Sequence, residues 1–229
     1  MKLFVSMVFG VVLLASHANA EEKKAFQTPK EKQSYSMGAD IGKRLQSQSI
    51  EVDPDVFAQG MKDALSGGKM LLTEQEIKEA LTALQKGLAD KQAERTKQLS
   101  EKNKKEGEAF LAENKKKDGV ITLPSGLQYK VITEGTGKTP KAEDTVVTNY
   151  RGTLIDGTEF DSSYKRGEPA TFPVKGVIPG WTEALQLMKE GSKWELFIPA
   201  SLAYGERGAG NVIGPYATLI FEIELISVK

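Results

Sequence analysis

The sequence predicts an α+β protein in which a helical N-terminal part precedes an antiparallel sheet wrapped on one short helix. Three observations carry this. Helical spacing and helix-start residues dominate as far as Lys117, whereas β-branched and turn residues dominate from Asp118-Gly119 onward. Within that second part only Val177-Ile178-Pro179-Gly180-Trp181-Thr182-Glu183-Ala184-Leu185 reads as a helix start, with an indole directly after two β-branched residues and a helix-initiating proline. Tyr150, Phe160-Asp161, Phe172, Tyr204 and Ile213 flank that stretch in sequence and are expected to converge on it.

The first 20 residues have the form of a signal peptide. Lys2 is basic, Leu3 to Ala15 is apolar, and Ala18-Asn19-Ala20 is a cleavage signature, so the mature chain is expected to start at Glu21. The apolar run is shorter than the ~20 residues a membrane span requires. The leader holds His17, the single histidine, and the chain has no cysteine. A mature chain without either excludes Ser-His-Asp, Cys-His and histidine-base mechanisms, as well as His/Cys zinc sites. It also has no disulfide and must rest on a packed core. With 31 Lys and Arg against 31 Asp and Glu, of which only Lys2 lies in the leader, no net field draws it to nucleic acid.

In order along the chain, Glu21 to Lys32 is expected to be a mobile tether. Gln33 to Ser47 reads as a short helix with close backbone approach at Gly38 and Gly42. Asp53-Pro54 caps a second helix bearing Val56, Phe57, Met61, Ala64 and Leu65, which Gly67-Gly68 stops. Two such helices bury too little alone. Either a second copy of the segment covers them, with Met37, Met61 and Met70 as adaptable contacts, or they fold against the next helix. Thr73 and Glu76 form a capping box for that helix, whose stripe Ile77, Leu81, Leu84 and Leu88 fades into a polar run reaching Lys117.

A long polar helix is either a solvated strut or unstable. The strut is favoured because Phe110 and Leu111 give its far end something to dock, with Glu101-Lys105 and Glu113-Lys117 as i,i+4 pairs. Strands are then expected over Leu127–Ile132, Thr145–Leu154, Ala170–Val174, Lys193–Ile198 and Ala217–Val228. Asp156-Gly157 is a hairpin turn, Trp181–Met188 the short helix, and Tyr204–Gly214 a Gly-rich loop.

The blocks Tyr150-Arg151-Gly152-Thr153-Leu154, Asp156-Gly157-Thr158-Glu159-Phe160-Asp161-Ser162-Ser163, Val177-Ile178-Pro179-Gly180-Trp181, Ala203-Tyr204-Gly205 and Ile213-Gly214-Pro215-Tyr216-Ala217-Thr218-Leu219 together resemble the FKBP-type peptidyl-prolyl cis-trans isomerases. They agree in order and spacing across Gly119 to Lys229. A secretory signal, a small Met-containing helical segment and a long helix ahead of them resemble the macrophage infectivity potentiator branch of that family, from Gram-negative bacteria. The resemblance implies a signal peptide at 1–20, a helical dimerisation domain at 21–72, a connecting helix at 73–117 and an FKBP-like isomerase domain at 118–229. It moves the N-terminal helices towards a homodimer. It further implies proline-containing polypeptides as substrates, tacrolimus- or rapamycin-type macrolides as inhibitors, no cofactor, no metal, and a periplasmic or outer-membrane location.

Carried over by position, the resemblance implies Asp161, Tyr204 and Tyr150 as the catalytic groups. Phe160, Phe172, Val177, Ile178, Trp181, Ile213 and Phe221 would then bind substrate. Ala170 stands where the best-studied human member of the family has a wall phenylalanine, leaving Phe172 to represent that strand, and the segment from Phe172 to Val177 is two residues shorter. The reaction suits such residues. An X-Pro bond rotates over ~18–20 kcal/mol because the amide loses resonance. A catalyst need only bind the twisted form better than the planar one. In this expectation the proline stacks on Trp181, Ile178 N–H and Tyr204 hydroxyl orient substrate carbonyls, and Asp161 sits at the edge bonded to Tyr150 without acting as acid or base. Replacing Trp181 by Ala is expected to harm binding more than the fold. Two other roles stand beside isomerisation: a holding chaperone gripping non-native chains between the arms of a dimer, and binding at a host surface.

Overall fold

The computed structural model describes residues 26–229, and the leader lies outside them. Two compact units divide at Thr73/Glu74.

The first unit holds α1 (Pro29–Ser47) and α2 (Pro54–Ser66). The sequence reading began α1 at Gln33. The helix starts one turn earlier because Thr28 and Glu31 form a capping box: Thr28 Oγ1 accepts from Glu31 N–H at 3.2 Å, and Glu31 Oε2 accepts from Thr28 N–H at 2.9 Å. Among the described residues of one chain no close approach occurs at Gly38 or Gly42, since none of them lies within 4 Å of a Cβ built at either. Asp53 caps α2 as expected, its Oδ1 accepting from Asp55 and Val56 at 3.0 and 3.1 Å, and Gly67 ends it at φ 64°.

The second unit begins with α3 (Glu74–Asn114), 41 residues that rise about 62 Å at ~1.5 Å each. It stops short of Lys117 because Asn114 turns inward. That side chain is fully buried and donates to Gln128 Oε1 at 3.0 Å, while Gln128 Nε2 donates to the Leu111 carbonyl at 2.9 Å. The expected ion pairs shift accordingly. Lys102 pairs with Glu106 and Lys116 with Glu113, while Lys117, off the helix, lies over the Phe110 ring. Phe110 docks against Phe197, ring centres 6.0 Å apart.

The sheet that follows comprises β1 (Val120–Thr122), β2 (Gln128–Thr133), β3 (Thr145–Leu154), β4 (Glu159–Ser162), β5 (Ala170–Pro173), β6 (Lys193–Ile198) and β7 (Leu219–Val228). Every pairing is antiparallel, in the order β1-β2-β6-β7-β3-β4. The outer edge of β3 is shared: β5 pairs with Thr145–Thr148, and β4 with Arg151–Thr153. β1 and β4 were not expected as strands. Between β4 and β5 lies one helical turn, α4 (Ser163–Arg166), also unexpected. The last strand starts two residues later than expected, at Leu219.

Period-2 alternation in β3 and β7 sends Val146, Thr148, Tyr150, Leu219, Phe221, Ile223 and Leu225 to one buried face. Onto that face packs α5 (Pro179–Leu185) with Trp181, Ala184 and Leu185. Gly180 permits the approach: a Cβ there would lie 2.6 Å from Ile198 Cγ2. Thr182 Oγ1 donates to the Val174 carbonyl at 2.8 Å and fixes the angle of α5.

Two glycines of α3 should respond oppositely to alanine. At Gly107 a Cβ would meet Thr218 Oγ1 at 2.3 Å, whereas Gly87 faces open space. Gly87→Ala is expected to stabilise by up to ~1 kcal/mol through helix propensity, and Gly107→Ala to destabilise by about 1–3 kcal/mol through overpacking. Equilibrium urea unfolding of the two variants checks the signs.

Candidate active site

One concavity of about 680 Å³ opens where the C-terminal half of β3, β4, the end of β5, the start of α5 and the loop after Tyr204 meet. All ten residues singled out in the sequence line it, from Tyr150 on β3 to Phe221 on β7. Gly176 and the run Ala209–Val212 of the Gly-rich loop complete the wall, beyond the residues singled out individually. Ala170 does not line it; Phe172 alone represents β5 there.

The floor is the Trp181 indole. Tyr150, Phe172 and Phe221 meet it edge-on, with ring centres at 5.2, 5.8 and 5.2 Å and interplanar angles of 86°, 85° and 83°. Phe160 meets Phe221 the same way at 5.4 Å. Edge-to-face contacts satisfy the ring quadrupoles and hold each aromatic rigidly. Gly152 makes the cluster possible, because a Cβ there would lie 2.6 Å from Phe160 and 2.7 Å from Phe221. Trp181 is 3% exposed and belongs to the continuous core, so it is floor and core at once. Alanine at that position is therefore expected to cost the fold about 3–5 kcal/mol in addition to its effect on binding. The Trp181 Nε1 is buried with no hydrogen-bond partner among the described residues.

Polar groups sit at the rim. Tyr150 hydroxyl donates to Asp161 Oδ2 at 2.5 Å; Arg166 reaches the same pair, Nη1 to Asp161 Oδ1 at 2.5 Å and Nη2 to Tyr150 Oη at 2.7 Å. Asp161 Oδ1 also accepts from Ser162 N–H at 2.8 Å. Burial pushes the Asp161 carboxyl up, but the hydrogen bonds from Tyr150 and Arg166, the Arg166 charge and the Ser162 amide outweigh it and hold the group below the usual carboxylate range. Burial and then the Asp161 bond push the Tyr150 phenol up, so it stays protonated and donates.

Arg166 was missed in the sequence reading. Its signal was a cation five residues after Asp161 and just before Gly167, which ends α4 at φ 78°. Ser163, fully buried, accepts from Tyr150 N–H at 2.9 Å and pins α4 beside β3, so that Arg166 lies over the Tyr150 ring. On the other side of the floor, Ile178 precedes Pro179 as the residue capping α5, and its N–H has no partner among the described residues. Tyr204 is 41% exposed, with its hydroxyl likewise unengaged among them. The site thus offers an apolar aromatic floor, two open donors and a carboxylate held ionised at the edge.

Comparison with known proteins agrees with this geometry. Residues 30–131 match the family model described as the domain amino terminal to FKBP-type peptidyl-prolyl isomerase, and residues 136–226 match the FKBP-type peptidyl-prolyl cis-trans isomerase model. The chain is 52% identical over 229 residues to the outer membrane protein MIP of Legionella longbeachae, covering 100% of this chain and 98% of that one. It is 46% identical over 218 residues to the peptidyl-prolyl cis-trans isomerase Mip of Coxiella burnetii, covering 95% and 94%. The crystal structure of FkpA from Escherichia coli matches with a TM-score of 0.71 at 40% identity, covering 90% of this chain and 99% of that one. Fold, floor and full-length likeness agree, and the chain belongs to the FKBP-type peptidyl-prolyl cis-trans isomerases, in their macrophage infectivity potentiator branch.

Proposed function

We propose that this isomerase binds the proline of an X-Pro segment edge-deep in the 680 Å³ concavity, its ring against the Trp181 indole. Three aromatics meeting one buried indole edge-on is the observation that carries this reading. Such a site is shaped to exclude water and offers a flat apolar face for a five-membered ring. A twisted amide is less charge-separated than a planar one, so transfer from water into this surround favours it. Ile178 N–H and Tyr204 hydroxyl orient the flanking carbonyls. Asp161 remains ionised and braces Tyr150 at the rim; the reaction moves no proton.

The wider organisation follows the family. Residues 1–20 direct export and are removed, 21–72 form a homodimer, 73–117 connect, and 118–229 carry isomerisation of exported proteins in the periplasm or at the outer membrane. Support for the dimer comes from apolar side chains left uncovered in a single chain: Met37, Val56 and Leu65 are 67%, 68% and 83% exposed. Among the described residues no helix is long and apolar enough to cross a membrane. Macrolides of the tacrolimus and rapamycin type are expected to compete for the Trp181 floor. A holding role gains no observation of its own, whereas isomerase activity is the one the relatives' names carry.

Tyr204→Phe removes one donor at an exposed position, and a lost hydrogen bond of about 1 kcal/mol corresponds to a roughly five-fold fall in kcat/KM. It is measured with a proline tetrapeptide and with prolyl-limited refolding, at unchanged melting temperature. Wild-type rates in both assays would remove Tyr204 from the site.

The pH profile follows from the depressed Asp161. A carboxyl whose folded pKa lies below its unfolded value of ~3.9 contributes fully above that value and loses its contribution as pH falls through the folded pKa. Isomerase activity should therefore be level from neutral pH down into the carboxylate range. Arg166→Ala, by removing two of the lowering causes, should move the acid limb to higher pH. An unshifted limb in that variant would mean that Asp161 does not govern it.

Light scattering with chromatography on the mature chain is expected to give a dimer, and the double variant Val56→Lys, Leu65→Lys a monomer with intact isomerase activity on the tetrapeptide.

A further inference from the structure

The loop that supplies one wall of the pocket has a second face. Inward, Ala209 to Ile213 line the cavity, with Ile213 buried. Outward, the continuation Gly214-Pro215-Tyr216 lies against α3. Asn103 Nδ2 donates to the Pro215 carbonyl at 2.7 Å, a half-buried bond between groups 112 residues apart. Leu99 and Asn103 crowd Gly214 so closely that a Cβ there would lie 3.0 and 3.1 Å from them. Lys104 Nζ sits 3.8 Å from the centre of the Tyr216 ring. Three consecutive loop residues are thus held by three residues on one face of one helical turn and its neighbour.

The loop is stiff enough to transmit that hold. Ala209 and Ile213 exchange both backbone hydrogen bonds, at 2.8 and 3.1 Å, and Tyr216 N–H closes the base on the Gly205 carbonyl at 2.8 Å. Gly208 is needed beneath it, since a Cβ would lie 2.1 Å from the Ile213 carbonyl oxygen. Tyr216 adopts φ 55°, a left-handed conformation that a residue with a side chain keeps only where its surroundings over-determine it. Both Tyr204 and Ile213 belong to this closed unit or adjoin it, so displacing Pro215 moves two pocket groups together.

We propose that Asn103 of α3 is a positioning residue for isomerisation, acting through the Pro215 carbonyl to fix the wall that carries Ile213 and borders Tyr204. The polar strut is then part of the catalytic unit, and it sets how tightly a proline-containing chain is gripped. This rests on the reading of the pocket as the substrate site. The wall contacts ground state and transition state alike, so loosening it raises KM and leaves kcat little changed.

Full-length mature protein carrying Asn103→Asp, which keeps the shape and loses the donor, tests the idea together with Asn103→Gln, which keeps an amide. For a proline tetrapeptide, Asn103→Asp should raise KM about five-fold, the equivalent of one hydrogen bond, with kcat within about a factor of two, and Asn103→Gln should recover most of the loss. Amide hydrogen exchange should quicken at 209–216 and stay at wild-type rates in β3, β6 and β7. Exchange rising throughout the sheet with a lowered melting temperature would make Asn103 a general anchor of the helix and overturn the proposal. Wild-type KM and wild-type exchange at 209–216 in Asn103→Asp would also overturn it. The exchange result does not depend on activity, so it is read independently of whether Tyr204→Phe upholds the pocket as the substrate site.

Discussion

The seating of α5 on the sheet is the contact on which the catalytic unit depends. Gly180 brings the helix backbone against Ile198, and Thr182 locks its angle to Val174, so the next side chain, Trp181, has no choice but to lie flat in the core. With its indole fixed, three rings from β3, β5 and β7 pack edge-on around it, and all four line the concavity. Gly152 completes this by yielding the space in which Phe160 and Phe221 meet. The cavity is therefore a by-product of rigid packing: aromatic edges shape it, and close-packed interiors deform little. A preorganised apolar floor suits a reaction whose barrier is lost resonance and whose catalysis is differential binding.

An ionised group beside such a floor needs an explanation, because a lone carboxylate in apolar surroundings would take up a proton. Asp161 escapes this by position and by company. Its side chain is 43% exposed, and Tyr150, Arg166 and the Ser162 amide together direct four donor bonds at it and its partner oxygen. The network also orients the Tyr150 ring, which stands perpendicular to the Trp181 indole, so the charged rim and the apolar floor meet in one tyrosine. Glu159 serves the same hairpin from outside, paired with Arg151 at 2.7 Å and Lys165 at 2.9 Å. The charged residues near the site thus stiffen the hairpin that presents Phe160 and Asp161.

Much of this was legible in the sequence, and the parts that were not share a cause. Strand β3 was read to its boundaries because a ten-residue stretch rich in β-branched residues precedes an Asp-Gly turn, and α2 because Asp53-Pro54 and Gly67 are local signals. The pocket residues were legible as ordered blocks. The start of α1 was lost because Thr28 and Glu31 sit in a charged stretch that looks like a tether, although the spacing of a capping box was present. β4 was lost because four residues paired to β3 carry no periodicity of their own. Arg166, Gly152, Gly107 and Asn103 have roles defined only by what lies across from them, at separations up to 112 residues, and a single sequence does not print such neighbours.

The long helix shows how far a bland composition can conceal a specific task. Along most of α3, polar residues and i,i+4 pairs such as Lys86 with Asp90 and Gln98 with Glu94 are what any solvated helix carries. From Leu99 onward the same polar alphabet is spent on the sheet unit: Asn103 on Pro215, Lys104 on Tyr216, Gly107 beneath Thr218, Phe110 on Phe197 and Asn114 on Gln128. Apart from the adjacent Asn103 and Lys104, these contacts recur at three- and four-residue intervals, the spacing of one helix face. A helix that only linked two parts would need an anchor at its end alone. Contacts continued over four turns, two of them on the segment that closes the pocket wall, bind helix and isomerase fold into a single mechanical piece.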